Sequence, residues 1–298
     1  MKKTIRHCLY VSLLMLLPLW TACDKDIHEN ESHGLAVGME WLEGIEPTDI
    51  TSPVNLWIYD AEGHEVEAHE FSSPQELASG LFSLPEGDYT LVGVCGLTEP
   101  FRYDYENGTR TADMLRVSLA DPSASPAHAV GGVAGASVTD TRINLRSVIR
   151  VAPLLAELTV RINGVPEGAS LAVTVRNAAT CLYPARQGDD NSYIVPSAEK
   201  SEAHLPQAVA DGGTLSAGAR LMPTAQGETC TLLYLVMTFA DGSRHEYTAE
   251  APLMLAGKRY ELALEYDRMQ PYMYITATDI NPWGEGWITS DDIFNPGI

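Results

Sequence analysis

Cys23 stands in the stretch Leu19-Trp20-Thr21-Ala22-Cys23-Asp24-Lys25-Asp26, where an apolar run gives way to alternating charges. A cysteine behind two small residues offers a thiol nucleophile that can accept a diacylglyceryl group. Cleavage before it would then leave an acylated first residue. Leu19, Thr21 and Ala22 suit such a bacterial lipobox, while Trp20 is bulkier than its position usually carries. Upstream, Lys2, Lys3 and Arg6 precede about a dozen mostly apolar residues from Cys8 to Trp20, a signal-peptide layout. That run falls short of the roughly 20 apolar residues a spanning helix needs. The expectation is a signal peptide over 1–22, lipid attachment at Cys23 and an acidic tether over 23–34. Acyl chains such as palmitate would hold the chain on a membrane, each buried methylene contributing about 0.8 kcal/mol.

Other residues suggest chemistry that their spacing does not support. His64-Glu65-Val66-Glu67-Ala68-His69 approaches a zinc-protease motif, but that motif separates its histidines by four positions on a helix and this stretch by five. Five helical steps leave the rings roughly 140° apart, and on a strand they face opposite sides. His28, His33, His128, His204 and His245 are isolated. Gly131-Gly132-Val133-Ala134-Gly135 lacks the lysine and following helix of a phosphate cradle, and no Gly-x-Ser-x-Gly elbow occurs. Asn107-Gly108-Thr109 is a sequon in form only. No catalytic constellation, metal set or cofactor motif emerges, so an enzyme is not expected. The remaining candidates for ligand contact are aromatic: Trp57, Tyr59, Phe101, Tyr103 and Tyr105. They could stack on a sugar or serve sheet packing and cross-strand pairs.

Charge narrows the partners. The chain carries 19 Lys+Arg against 40 Asp+Glu, a net charge of −21. Loss of residues 1–22 removes three positive charges and no acid, taking −21 to −24. Such a surface repels phosphate backbones and anionic lipid heads, which disfavours nucleic-acid binding. Cys95, Cys181 and Cys230 fit no zinc spacing. A Cys181–Cys230 disulfide and three free thiols are both compatible with their positions.

The elements that would position these residues are strands. Period-two alternation places Leu35, Val37, Met39 and Trp41 on one face, and Val54, Leu56 and Ile58 on another. Pro85-Glu86-Gly87-Asp88 turns the chain into a strand carrying Tyr89, Leu91, Gly93 and Cys95. Met114–Leu119, Ile143–Val151, the runs AELTVRIN and SLAVTVRN, Thr231–Phe239, His245–Ala249, Leu253–Leu255, Tyr260–Tyr266 and Tyr272–Ala277 read as further strands. Asp241-Gly242 signals a hairpin, Gly164–Gly168 a turn, and Ser73–Ser79 one short turn of helix. From Asp121 to Asp140, small residues, two prolines and three glycines read as a surface loop or linker. The expected fold is all-β, with two tandem antiparallel β-sandwiches over 35–141 and 142–277 and a tail over 278–298.

Taken together, these pieces resemble a known family. The signal is followed by a strand ending at Trp41, then Leu56-Trp57-Ile58-Tyr59-Asp60, then Leu84-Pro85-Glu86-Gly87-Asp88-Tyr89. Later Ala156–Ile162 runs into Gly164-Val165-Pro166-Glu167-Gly168, and the chain closes through Ile280-Asn281-Pro282-Trp283-Gly284-Glu285-Gly286-Trp287. This is similar to the fimbrillin superfamily of Bacteroidales (type V pili), in particular its anchor lipoproteins of the FimB and minor-fimbrium-anchor kind. The acids after Cys23 (Asp24, Asp26, Glu29, Glu31) resemble the export signal that sends lipoproteins to the outer face of the outer membrane. The resemblance implies transthyretin-like sandwiches and fimbrial partner subunits joined by strand addition. It also implies that stalk subunits lose their first strand after an arginine. No arginine lies between Cys23 and Arg102, which fits an uncleaved anchor. The expected function is a surface-exposed lipoprotein that anchors or forms an accessory part of a fimbria. The alternative is a carbohydrate-binding outer-membrane lipoprotein of a glycan-uptake system. The role of 278–298, with Trp283 and Trp287, stays open.

Overall fold

A computed structural model describes residues 34–43, 52–141, 143–187 and 193–269. Cys23, the expected strand Tyr272–Ala277 and the tail 278–298 lie outside the described residues. Within them the chain is nearly all strand: β1 Leu35–Trp41, β2 Val54–Tyr59, β3 Glu65–Phe71, β4 Gly87–Cys95, β5 Phe101–Tyr105, β6 Leu115–Leu119, β7 Val130–Val138, β8 Leu145–Pro153 and β9 Ala156–Asn163. There follow β10 Ser170–Ala179, β11 Cys181–Gln187, β12 Tyr193–Pro196, β13 Lys200–His204, β14 Ala208–Val209, β15 Thr214–Leu221, β16 Thr231–Thr238, β17 Arg244–Ala251 and β18 Arg259–Glu265.

Four sheets result, ordered β1-β8-β7-β4-β2-β3, β13-β10-β16-β17 with β14 on β10, β12-β11-β6-β5, and β15-β9-β18. Most pairings are antiparallel, as the alternation implied. Two are parallel, β1 with β8 and β9 with β18. Strands from either side of residue 141 share two sheets: β8 pairs with β1 and β7, and β11 with β6.

β2 explains the layering. All six of its residues are buried, so both of its faces are covered. Val54, Leu56 and Ile58 pack with Leu35, Val37, Phe82 and Ile149 in one core. Trp57 and Tyr59 pack with Leu115, Val117 and Leu119 of β6 in a second, larger core. That second core continues through Leu158, Val160 and Ile162 of β9 into Leu233, Leu235 and Met237 of β16.

The glycine-rich segment is a correction to the sequence reading. Val130–Val138 is no loop; it is β7, in register with β4 from Gly87↔Val138 to Cys95↔Val130. Gly93 and Gly132 are opposed in that ladder. A Cβ on Gly132 would run into the Arg150 carbonyl, and one on Gly93 into Met39 and Ile149. Small residues here permit β8 and β1 to cross close above the sheet. Leu253–Leu255 is also not a strand. Pro252 ends the ladder, and the Tyr260 hydroxyl stands in for a neighbour, donating to the Leu253 carbonyl and accepting from the Leu255 N–H, both at 2.9 Å.

Local chemistry sets the turns that sequence identified. Gly242 has φ +83 in the β16–β17 hairpin, and Asp241 accepts from the Ser243 N–H at 2.8 Å. Helix α1, Pro74–Ser79, starts at Ser73, whose hydroxyl accepts the Glu76 N–H at 3.1 Å. Glu76 accepts the Ser72 N–H at 2.7 Å in return, a variant of the capping box. The helix fully buries Leu77, worth on the order of 2 kcal/mol.

Candidate interaction surface

The five aromatic residues singled out from sequence do come together, along the contact between β2 and β5. Trp57, 3% exposed, meets Tyr103 edge-on at 5.1 Å between ring centroids. The Tyr59 hydroxyl lies 3.0 Å from that of Tyr105, which donates to Glu65. Arg110 holds the other Glu65 oxygen at 2.7 Å. Burial drives the Tyr59 hydroxyl well above the usual tyrosine range, and burial with the Glu65 contact does the same for Tyr105. Both stay protonated and serve as fixed links between layers. Phe101 is in the core, while Tyr103 is 46% exposed.

Elsewhere, arginines lie against the rings of two further tyrosines. The Arg186 guanidinium lies 3.4 Å from the Tyr183 ring centroid and that of Arg176 4.2 Å from Tyr234. Sequence reading missed both pairs, because the partners meet only through bulged or cross-strand geometry. His64 and His69 have separate partners. His64 sits 3.7 Å from Asp60, whereas His69 contacts Glu67 at 2.8 Å and packs against Phe82. Cys95, Cys181 and Cys230 are free thiols. Burial pushes the Cys95 thiol up to about 12, leaving it unreactive beside Met39.

What the layers present to a partner is strand edge. Among the described residues β3, β5, β17 and β18 each pair on one side only, leaving backbone donors and acceptors that an added strand can use. β3 protects its edge with Glu65, Glu67 and Glu70 and a bulge opposite Tyr59. β18 carries Arg259, Glu261 and Glu265. β1 is flanked by β8 and, at its first residue, by Phe82 through a reciprocal pair of 2.9 Å hydrogen bonds with Leu35.

A layered β-scaffold with strand edges free among the described residues, and most of its singled-out aromatic residues packed between layers, is the class of protein these features define. The chain belongs to the family described as fimbrillin-A associated anchor proteins Mfa1 and Mfa2, whose model matches residues 32–289. No curated protein matches the sequence closely enough to count as a relative. Solved structures share the fold. The fimbrial anchor protein Mfa2 from Porphyromonas gingivalis aligns with TM-score 0.54 at 12% identity, covering 78% of this chain and 90% of that one. A Bacteroides ovatus protein described as an adhesin gives 0.54 at 13%, covering 76% and 85%. A Bacteroides thetaiotaomicron protein described as polysaccharide-binding gives 0.59 at 11%, covering 87% and 100%.

Proposed function

We propose that the protein is a surface-exposed lipoprotein that anchors, or forms an accessory part of, a fimbria, with Cys23 as its lipid attachment point. It meets partner subunits by addition of a β-strand to a free sheet edge. Its layers correspond to transthyretin-like sandwiches, and it faces the cell exterior from the outer membrane. The observation that carries this reading is the family match across 32–289, and the exposed strand edges supply the chemistry. Its work is structural, with no step of catalysis assigned. Glycan binding is the weaker reading, because a sugar platform requires several open ring faces, and of the five candidate aromatics Trp57, Tyr59 and Phe101 are buried while Tyr103 alone is exposed. Isolation of native surface complexes, with and without added glycan, tests the proposal. Recovery of fimbrial subunits in both conditions is expected. Retention on a polysaccharide panel with no polymeric partner recovered would overturn it.

A further inference from the structure

The layer β12-β11-β6-β5 lies over part of the six-stranded sheet. β11 packs against β7 and β4, and β5 lies over β2 through Tyr103 on Trp57 and Tyr105 on Tyr59. Among the described residues no strand lies over β3, the edge beyond β2. Cross-strand register puts Ala68 opposite Trp57 and Glu70 opposite Asn55, hence on the covered side of β2. Yet Val66 is 43% exposed, and Ala68 and Glu70 are exposed with it. Among the described residues β5 pairs only with β6, so its other edge borders this bare strip. One end is closed by the turn after β5, where Thr111 bridges His64 and Arg110 accepts from the Glu65 N–H at 3.0 Å.

We infer that this slot, bounded by the free edge of β5 and the Val66/Ala68 strip of β3, receives one strand of a fimbrial partner with small apolar residues at alternate positions and a lysine or arginine at its Glu70 end. The inference rests on the strand-addition reading and gives it a location. Main-chain groups of β5 would bind the strand, and Val66, Ala68 and Tyr103 would take its inward side chains. The charge requirement comes from Glu70, exposed at the open end, which accepts only from the Asn55 Nδ2 amide at 3.3 Å among the described residues. A donor-rich cation is what that end lacks. A second copy of this chain is a poor occupant, since each carries a net charge of −21.

A photo-crosslinking amino acid placed at Ala68 of the full chain in its native cells tests the slot, with Glu40 on β1 and Thr248 on β17 as comparison positions. An adduct from position 68 to an alternating segment of a fimbrial subunit is expected, with Ala68→Glu cutting recovery of that subunit at least tenfold at unchanged Tm. Adducts from 40 or 248 but not 68 would keep strand addition and overturn this location. An adduct to a second copy would overturn the choice of occupant. Absence of adducts at all three positions would overturn the slot, and recovery of subunits in the native complexes would then decide separately whether the fimbrial reading survives.

Discussion

Trp41, the last residue of β1, faces His128 with ring centroids 6.3 Å apart and planes 28° from parallel. Burial lowers the His128 pKa below its ordinary 6.5; Arg220 and Arg259 push the same way and Glu157 opposes them. The unfolded chain therefore binds the proton more readily than the folded one. Stability from the neutral ring is complete above about 6.5 and is lost as pH falls toward the lower folded-state value. The urea midpoint should drop between pH 7.5 and pH 5, and the drop should shrink in His128→Phe; parallel titrations of the two proteins would refute this. Sequence showed His128 only as an isolated histidine, because its neighbours come from distant segments. Asn177 was equally silent. It is 1% exposed at a bulge in β10. It accepts the Leu232 N–H at 2.9 Å and donates to the Cys230 carbonyl at 2.8 Å. A buried amide has that meaning only once the bulge exists.

Among elements, alternation was a reliable guide where one face meets a core and the other meets water or a polar layer. β9 and β16 both alternate between buried and half-exposed positions. It failed where packing demanded something other than a branched side chain. β7 is built from small residues because β8 crosses above it at backbone contact distance, and composition alone cannot separate that need from a flexible loop. Gly132→Ala should therefore cost about 2 kcal/mol or more, since the clash is with the rigid Arg150 carbonyl. Gly135→Ala, in the same strand with no atom near the added methyl, should leave Tm unchanged or raise it. Chemical denaturation of the two variants checks the contrast, and equal losses would remove the close-crossing explanation. β5 was legible only as a loop or strand end, since Arg102 and Asp104 flank Tyr103 and no run of apolar residues marks it.

At the scale of the whole molecule, periodicity told which faces are buried and left the neighbours unnamed. Nothing in the pattern of β8 or β18 announces a parallel partner, and nothing near residue 141 announces that β11 will pair with β6. The proposed attachment at Cys23 rests on sequence alone, since an export signal would be written locally, as charge, apolar run and thiol. Cys23→Ala should leave the sheets folded, with an unaltered far-ultraviolet circular dichroism spectrum, while moving the protein out of the membrane fraction. Continued sedimentation with membranes would mean that the thiol is not the attachment point.

The parallel ladder of β1 on β8 has a mechanical consequence. Seven residues run side by side, from Leu35 opposite Leu145 to Trp41 opposite Val151. Were the chain moored at its start, as proposed, and pulled through its later sheets, tension would enter β1 at Leu35 and leave β8 at Pro153, the opposite end of the same ladder. Such a load slides the two strands past each other and strains every rung together, whereas an antiparallel hairpin gripped at its open end gives way one rung at a time. An appendage tugged by flow would thus hang from the part of the sheet arranged to resist sliding.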